Sequence, residues 1–397
     1  MLHPCTGWPT RDMTERCAQS LPLLYAVGTH YDVGYSVGKT FADKIKSFWR
    51  ESADVNNIDL PFYNTPAGKE YFKKALEICK KNFPQFVREL EGIADGAQMS
   101  FDNIFMLNLS KEVHNVLAQQ PVDKQFKEVA GCTDIFINRP TCKILGHNED
   151  CDPKIKPFGY LVSFQILQDN LEEEEETFTA YCYPGVLPGT AFSFNRHGMV
   201  FSVNGLYPDF ISETSPPRMF INRSMIKARS LNEAIELIKN PGFGVAYGFT
   251  LNIADIRHPS DMWSVEVAPH ANESLFHVYT VAEEKDPGRP CHYIHINNYK
   301  HLKIAEKPNL RSTKARTIRT EEFPPPENRQ NVLTILGDEG NQEFPIYRSE
   351  RPSDHSATSF TAVVDIIKNR VDIYTENPAK SGVKPLLCLN IMEKNEA

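Results

Sequence analysis

The sequence has few of the features that mark membrane-spanning, secreted or nucleic-acid-binding proteins. Its 397 residues include no stretch of about 20 apolar residues, the length that a membrane-spanning helix needs. The N-terminus, from Met1 to Gly7, has no basic region followed by an apolar one, so no secretory signal is expected there. A formal net charge of −8 argues against a nucleic-acid partner and favours a cationic small molecule as the ligand.

Cysteine is present without the spacing of a disulfide framework or of a zinc knuckle. The nine cysteines are an odd number and are widely scattered, which fits a reduced, cytoplasmic protein. The nearest approach to a metal motif has uneven gaps and no paired C-x2-C element: Cys132, Cys142, His147 and Cys151. We therefore expect no metal and no other cofactor.

One glycine–cysteine pair before an apolar run has the pattern of a self-cleaving nucleophile. Gly131-Cys132 precedes the alternating residues 133–138, which predict a strand. Because glycine has no Cβ, the backbone can bend there until the Cys132 thiol reaches the preceding carbonyl carbon. An N-to-S acyl shift and hydrolysis would then free the α-amine of Cys132, whose basicity suits a general base for the thiol. The alternative is a buried, inert cysteine, which is the commoner state of this residue.

An acidic residue follows at the end of the next short apolar run. The motif GHNED at 146–150 closes a strand predicted at 143–148, and neighbouring strands of a sheet place their ends side by side. Asp150 is therefore predicted to orient the new α-amine and to stabilise its cationic form. A polar turn after a strand is the alternative interpretation.

Two asparagines have the pattern of oxyanion-hole donors. Asn204 ends the predicted strand 198–204 beside a glycine, and Asn252 interrupts the apolar strand 250–255. A neutral amide at a strand end can donate a hydrogen bond to the charge that develops when a carbonyl carbon is attacked. Each asparagine taken alone has the pattern of a structural amide more often than that of a catalytic donor.

Together these elements resemble the acyl-coenzyme A:isopenicillin N acyltransferase family, which belongs to the N-terminal nucleophile hydrolases. The resemblance rests on Gly131-Cys132-Thr133, the motif at 146–150 and the hairpin that ends at Asn204. Segments 28–34 and 83–96 are also similar to insect members that act on β-alanyl amines, and the likeness runs from residue 21 to 387. More distantly, the chain is similar to penicillin V acylases and bile salt hydrolases.

The resemblance implies a role for each matching residue. Cys132 corresponds to the nucleophile, Asp150 to its acidic partner and Asn204 to the asparagine of the oxyanion hole. Asn252 matches a second catalytic asparagine if one gap is allowed in its strand. Arg316 and Ser312 resemble a late Ser/Arg element, with Arg316 in catalysis and Ser312 in substrate binding. The bond between Gly131 and Cys132 is the expected cleavage site.

The apolar pattern changes at Cys132 from helical to strand-like. Helices are predicted over 38–49, 69–79 and 86–94, and strands over 133–138, 143–148, 158–167, 177–183, 189–194 and 198–204. The acidic run 172–176 is predicted to be a solvated loop. This order predicts two packed, mostly antiparallel sheets covered by helices. The resemblance implies an α/β fold, the αββα four-layer sandwich, as one domain built from a small subunit, 1–131, and a large subunit, 132–397.

The resemblance also implies an activity, namely hydrolysis of N-β-alanyl amides of biogenic amines such as dopamine and histamine by a self-processed cysteine enzyme. The β-alanyl group is a cation at its amino end, so an acidic side chain should bind it, and Glu149 and Asp152 are candidates by proximity. The expected partners are this small molecule and the two fragments, which would associate as processed subunits.

Two other interpretations stay open. If an amine rather than water resolved the thioester, the enzyme would be an acyltransferase. If the acyl group were different, it would be a hydrolase of other acyl amides. A non-catalytic protein that merely keeps the fold would leave the Gly131-Cys132 bond intact.

Overall fold

The computed structural model describes residues 20–118, 131–167, 175–286, 288–308, 310–352 and 354–392. Its α-helices are α1 (His30–Thr40), α2 (Ala42–Glu51), α3 (Leu60–Tyr63), α4 (Pro66–Asn82), α5 (Pro84–Ala97), α6 (Phe101–Leu107), α7 (Ser110–Ala118), α8 (Arg218–Met225), α9 (Leu231–Lys239), α10 (Arg311–Glu321) and α11 (Arg329–Leu336). A π-helical turn spans Val55–Asp59 and a 3₁₀ turn spans Lys156–Phe158. Within these ranges, no helix has the length and apolar character needed to cross a bilayer.

Two sheets lie at the centre of the molecule. Across the eight-stranded sheet the strands are β1 (Leu23–Gly28), β4 (Tyr160–Ile166), β5 (Glu176–Cys182), β6 (Phe192–Asn195), β7 (Met199–Gly205), β8 (Phe249–Asp255), β9 (Met262–Ala268) and β10 (Leu275–Thr280). Across the seven-stranded sheet they are β11 (His292–His295), β2 (Cys132–Arg139), β3 (Cys142–Cys151), β13 (Asp354–Asp365), β14 (Arg370–Tyr374) and β15 (Leu387–Asn390), with β12 (Ser349–Arg351) beside β13.

Neighbouring strands are antiparallel, except that β1 runs parallel to β4. A parallel pair needs a long crossover connection, and here the helices α1 to α7 lie between the two strands in sequence. Residues from both sides of the Gly131-Cys132 bond therefore share one sheet.

Three apolar cores separate four layers. Along β2 the side chains alternate: Ile135 and Ile137 pack on Val332 of α11, whereas Phe136 packs in the core between the sheets with Phe192. The third core lies between the eight-stranded sheet and the helices that include α1 and α5. The order helix, sheet, sheet, helix confirms the predicted αββα sandwich.

Helices α1 and α5 pack closely against each other, with glycine residues at the contact. Segments 28–34 and 83–96, noted in the sequence, are therefore neighbours in the fold. A Cβ atom on Gly34 would lie 2.1 Å from the carbonyl oxygen of Glu89, and one on Gly92 would lie 2.2 Å from that of Tyr31. Both distances are far below van der Waals contact, so only glycine permits this helix spacing.

Two predictions from the sequence are wrong in detail. The single helix predicted at 38–49 is two helices, because the backbone of Phe41 leaves the helical region and its ring stacks on Tyr160 with centroids 4.0 Å apart. Part of the run 172–176 lies outside the described residues. Glu176, its last residue, is not solvated but buried, and it forms an ion pair with the buried Arg223 at 2.8 Å.

Candidate active site

Cys132 is the first residue of β2 and faces the space between the two sheets. β2 pairs with β3 so that Cys132 lies opposite Glu149 and Asp134 lies opposite His147. Residues opposite each other in a strand pair point to the same face of the sheet. The Cys132 thiol donates a hydrogen bond to Glu149 Oε2 at 3.3 Å. The nucleophile predicted from the sequence is thus in contact with a carboxylate.

His147 lies between two carboxylates beside the thiol. Its Nδ1 is 2.9 Å from Asp134 Oδ2 and its Nε2 is 3.1 Å from Glu149 Oε2. Burial alone would lower the pKa of His147, but Asp134 and Glu149 raise it to about 10. His147 is therefore an imidazolium at neutral pH, and the three groups together carry one net negative charge.

Two hydroxyl groups hold these carboxylates in place. Tyr183 donates a hydrogen bond to Glu149 Oε1 at 2.5 Å, and Ser202 of β7 donates one to Asp134 Oδ1. The second bond links the two sheets directly at the site. Because every partner is fixed by another, the carboxylates cannot turn away from the thiol and the imidazolium.

The thiol itself is not a thiolate in this environment. Burial raises the pKa of Cys132 well above its usual range, and the charges of Glu149, Asp150 and Asp134 raise it further. To attack a carbonyl carbon, a thiol in this state would have to lose its proton to a base. Glu149 is the acceptor already in contact with it.

The nitrogen of Cys132 is held by an asparagine that the sequence analysis did not identify. The Cys132 N–H donates a hydrogen bond to Asn297 Oδ1 at 3.0 Å, and Asn297 Nδ2 donates one to the carbonyl oxygen of Gly205 at 2.9 Å. A Cβ atom on Gly131 would lie 2.2 Å from Asn297 Oδ1. Glycine at position 131 thus leaves room for the side chain that holds the next residue's nitrogen.

Arg316, predicted to be catalytic, is fully buried behind Cys132. Its Nη1 donates hydrogen bonds to the carbonyl oxygen of Cys132 at 2.9 Å and to Thr133 Oγ1 at 3.1 Å, while Nη2 donates one to Asn297 Oδ1 at 2.9 Å. Ser312, predicted to bind substrate, accepts a hydrogen bond from Arg316 Nε at 3.2 Å. Arg316 thus holds the backbone of Cys132, and Ser312 holds Arg316.

Asp150 lies on the other face of β3, towards helix α10. It accepts a hydrogen bond from Thr358 at 2.8 Å and lies 3.7 Å from Arg348 and 4.0 Å from Arg316. Burial raises the pKa of Asp150 to about 6, although both guanidinium groups oppose this shift. Its link to Cys132 runs through Arg316, which binds the Cys132 carbonyl oxygen.

Asn204 and Asn252 form one directed chain of hydrogen bonds. Ser264 donates to Asn252 Oδ1 at 2.8 Å, and Asn252 Nδ2 donates to Asn204 Oδ1 at 2.6 Å. Asn204 Nδ2 is then left buried with no hydrogen-bond partner among the described residues. An unused buried donor is costly and suits an oxyanion. Asn297 connects this strand end to Cys132, since it binds the residue after Asn204.

The remaining predicted residue, Asp152, lies in the turn after β3. Its Oδ1 accepts a hydrogen bond from the backbone N–H of Lys154 at 2.8 Å. Of the two acidic residues predicted to bind the substrate's amino group, Glu149 is the one beside the thiol.

Asn297 follows the short strand β11, and a strand-end asparagine is the signal that had pointed to Asn204.

Three groups that can bind a metal ion lie together in the described part of the chain. Cys132, His147 and Glu149 each offer one atom, and these atoms lie within 4.8 Å of one another. The cysteines Cys142 and Cys151, considered with them in the sequence, do not belong to this cluster.

Comparison with known proteins gives consistent results. The profile of the acyl-coenzyme A:6-aminopenicillanic acid acyl-transferase family matches residues 137–380. The chain is 32 % identical over 374 residues to beta-alanyl-dopamine/carcinine hydrolase of Drosophila melanogaster, covering 91 % of this chain and 95 % of that protein. It is 25 % identical over 243 residues to the 40 kDa form of acyl-coenzyme A:6-aminopenicillanic-acid-acyltransferase of Emericella nidulans, covering 61 % and 62 %.

Among solved structures, penicillin V acylase from Agrobacterium tumefaciens aligns with 62 % of this chain and 82 % of its own, with 13 % identity and a TM-score of 0.36. The family profile and the Drosophila relative span most of the sequence, including the strand that bears His147, Glu149 and Asp150. The chain therefore belongs to the acyl-coenzyme A:6-aminopenicillanic acid acyl-transferase family, and it is an enzyme that acts on amide bonds.

Proposed function

We propose that the chain is a self-processing cysteine amidohydrolase that cleaves N-β-alanyl amides of biogenic amines, with N-β-alanyl-dopamine and N-β-alanyl-histamine as its candidate substrates. The Drosophila relative is named for beta-alanyl-dopamine and carcinine, which supports this substrate class. The observation that carries the proposal is the buried Glu149 carboxylate, 3.3 Å from the Cys132 sulfur.

The position of Glu149 suits a cationic acyl group. In a β-alanyl amide, two methylene groups separate the carbonyl carbon from the ammonium nitrogen, which places them about 4 Å apart. Once the Cys132 sulfur bonds to that carbon, the ammonium is within reach of Glu149. The net negative charge of Asp134, His147 and Glu149 would be neutralised by the ammonium, whereas an uncharged acyl group would leave it uncompensated.

Self-cleavage uses the same atoms. The Cys132 thiol passes its proton to Glu149, and the sulfur attacks the Gly131 carbonyl carbon. The bond from that carbon to the Cys132 nitrogen breaks as the nitrogen takes up the proton, and a thioester is left between Gly131 and Cys132. Water hydrolyses the thioester, which gives the Gly131 carboxylate and a Cys132 with a free α-amine and thiol.

Turnover then repeats the attack on the substrate. The α-amine of Cys132 takes the thiol proton, the thiolate attacks the β-alanyl carbonyl carbon, and the Asn204 amide donates to the oxyanion. The α-ammonium returns the proton to the departing amine. Water resolves the thioester, releases β-alanine and restores the thiol.

A comparison of two acyl groups tests this proposal. N-butanoyl-dopamine has a methyl group in place of the ammonium of N-β-alanyl-dopamine, so the wild type should cleave it with a kcat/KM about 10²-fold lower. Because Glu149 also takes the thiol proton in self-cleavage, both variants are assayed on their cleaved fraction. There Glu149→Gln should remove most of this preference, whereas the matched control Asp152→Asn should keep it. Equal rates for the two substrates in the wild type would contradict the assignment of Glu149 to the β-alanyl ammonium.

N-β-alanyl-histamine is run in parallel to compare the two leaving amines, and an acyl-coenzyme A with free dopamine tests for acyl transfer.

A further inference from the structure

The cluster of Cys132, His147 and Glu149 has the donor set and the spacing of a metal site, although none was expected from the sequence. Cys132 Sγ lies 3.3 Å from Glu149 Oε2, which lies 3.1 Å from His147 Nε2. In a tetrahedral zinc site with bonds of about 2.0–2.3 Å, ligand atoms lie about 3.3–3.8 Å apart; here all three atoms lie within 4.8 Å of one another. We propose that these three side chains bind Zn²⁺ and that the bound ion inhibits the enzyme.

The hydrogen bonds to His147 and Glu149 are of the kind that orient zinc ligands in other proteins. The second nitrogen of His147, Nδ1, is 2.9 Å from Asp134 Oδ2, and a carboxylate at this position orients a metal-binding imidazole. Tyr183 fixes the second oxygen of Glu149 at 2.5 Å. The ligand atoms thus need little movement to bind an ion.

The charges also fit. Zn²⁺ replaces two protons, one on the Cys132 sulfur and one on His147 Nε2, and it then faces a thiolate, a carboxylate and a neutral imidazole. The two positive charges of the ion replace those of the two protons, so the site, with Asp134 included, keeps the one net negative charge that it has without the ion. A thiolate and an imidazole select zinc over magnesium or calcium, which prefer oxygen ligands.

The inhibitory role rests on the proposed function, because the sulfur that binds the ion is the nucleophile of that proposal. A zinc-bound thiolate uses its lone pair in the metal bond, and the ion occupies the place next to Glu149 where the acyl group must enter. Removal of the ion by a chelator should restore self-cleavage and substrate turnover, because zinc binding changes no covalent bond of the protein.

Cobalt titration tests the site without any assay of activity. Co²⁺ added to chelator-treated protein should produce a thiolate-to-cobalt absorption band, and an equimolar amount of Zn²⁺ should remove it. Cys132→Ser should abolish the band, Glu149→Gln should weaken Co²⁺ binding at least about tenfold, and Asp134→Asn should weaken it about 10–100-fold. Cys151→Ser is the matched control, because Cys151 is a buried cysteine on the strand that bears His147 and Glu149, and it should keep the band.

The outcomes separate this site from other thiols and from unfolding. Absence of the band in folded wild type, or its persistence in Cys132→Ser, would overturn the proposal. Loss of the band in Cys151→Ser with an unchanged melting temperature would do the same. Micromolar Zn²⁺ that slows the wild type, with recovery after addition of a chelator, would support the inhibitory role; full activity with Zn²⁺ bound would overturn it.

Discussion

Asn297 Oδ1 accepts a hydrogen bond from the backbone N–H of Cys132 across 3.0 Å. The atom that would become the α-amine in the proposed cleavage is therefore held by a side chain 165 residues away in sequence. Arg316 Nη2 donates to the same oxygen, so its direction is fixed. A freed amine that keeps this acceptor stays beside its own thiol instead of turning into solvent.

Loss of the Asn297 side chain should slow both self-cleavage and turnover. Without its acceptor the Cys132 nitrogen is no longer aligned with the thiol, and misplacement of this kind costs about 10²-fold in rate. Asn297→Ala is compared with Asn298→Ala, whose side chain makes only a longer contact of 3.4 Å with the carbonyl oxygen of Tyr299. The measurement is the rate of fragment appearance, and a similar rate in both variants would show that Asn297 has no such role.

Asn204 should contribute to the transition state rather than to substrate binding. Its free Nδ2 would bind the oxyanion, so Asn204→Ala should lower kcat about 10²–10³-fold with little change in KM. Asn252→Ala should have a smaller effect of the same kind and Ser264→Ala the smallest, because they act by holding the Asn204 amide. A rise in KM at constant kcat would place the oxyanion donor elsewhere. Only cleaved protein is assayed.

The rate of self-cleavage should fall in acid because Asp150 becomes protonated. Burial raises the pKa of Asp150 to about 6, so its negative charge beside Arg316 and Arg348 is lost as the pH drops through this value. Asp150→Asn should be slow and nearly independent of pH between 5 and 7, a window of about one unit on each side of that pKa. The control Asp152→Asn should retain the decrease in rate at acid pH. If Asp150→Asn also retains this decrease, the group that titrates is not Asp150.

Glu266 should make the fold sensitive to acid. Burial alone would raise its pKa, but His295, whose Nε2 lies 3.6 Å from Glu266 Oε1, and hydrogen bonds from the backbone of Leu302 and Lys300 lower the pKa of Glu266 to about 2. The folded-state pKa is below that of an unfolded chain, so this stabilisation is complete above about pH 4.5 and is lost as the pH falls towards 2.

The measurement is the melting temperature as a function of pH. Glu266→Gln should melt lower than the wild type at pH 7 and should show a weaker decrease below about pH 4.5. The exposed Glu273 offers a control, since Glu273→Gln should follow the wild type. Parallel curves for Glu266→Gln and the wild type would show that Glu266 does not control acid unfolding.

The sequence was sufficient for the sandwich and for the strand ends that bear Cys132 and Asn204. It was insufficient to say which of two adjacent acids faces the thiol. Side chains alternate along a strand, so a shift of one residue exchanges Glu149 and Asp150. Only the pairing of Cys132 with Glu149 decides between them.

Asn297 shows a second limit. It follows β11, a strand of four residues, which is too short for a periodic pattern to stand out. Its role depends on contacts with Cys132 and Gly205, both distant in sequence. Arg316 was likewise identified only through the family resemblance, because a buried arginine is atypical of a helix face.

The intact mass of the purified protein tests the central claim most directly. Wild type should give two chains whose masses match residues 1–131 and 132–397, with Cys132 as the new N-terminus, and Cys132→Ala should give one chain. A wild type with the mass of the unbroken 397-residue chain, in a preparation that hydrolyses N-β-alanyl-dopamine, would contradict activation by self-cleavage.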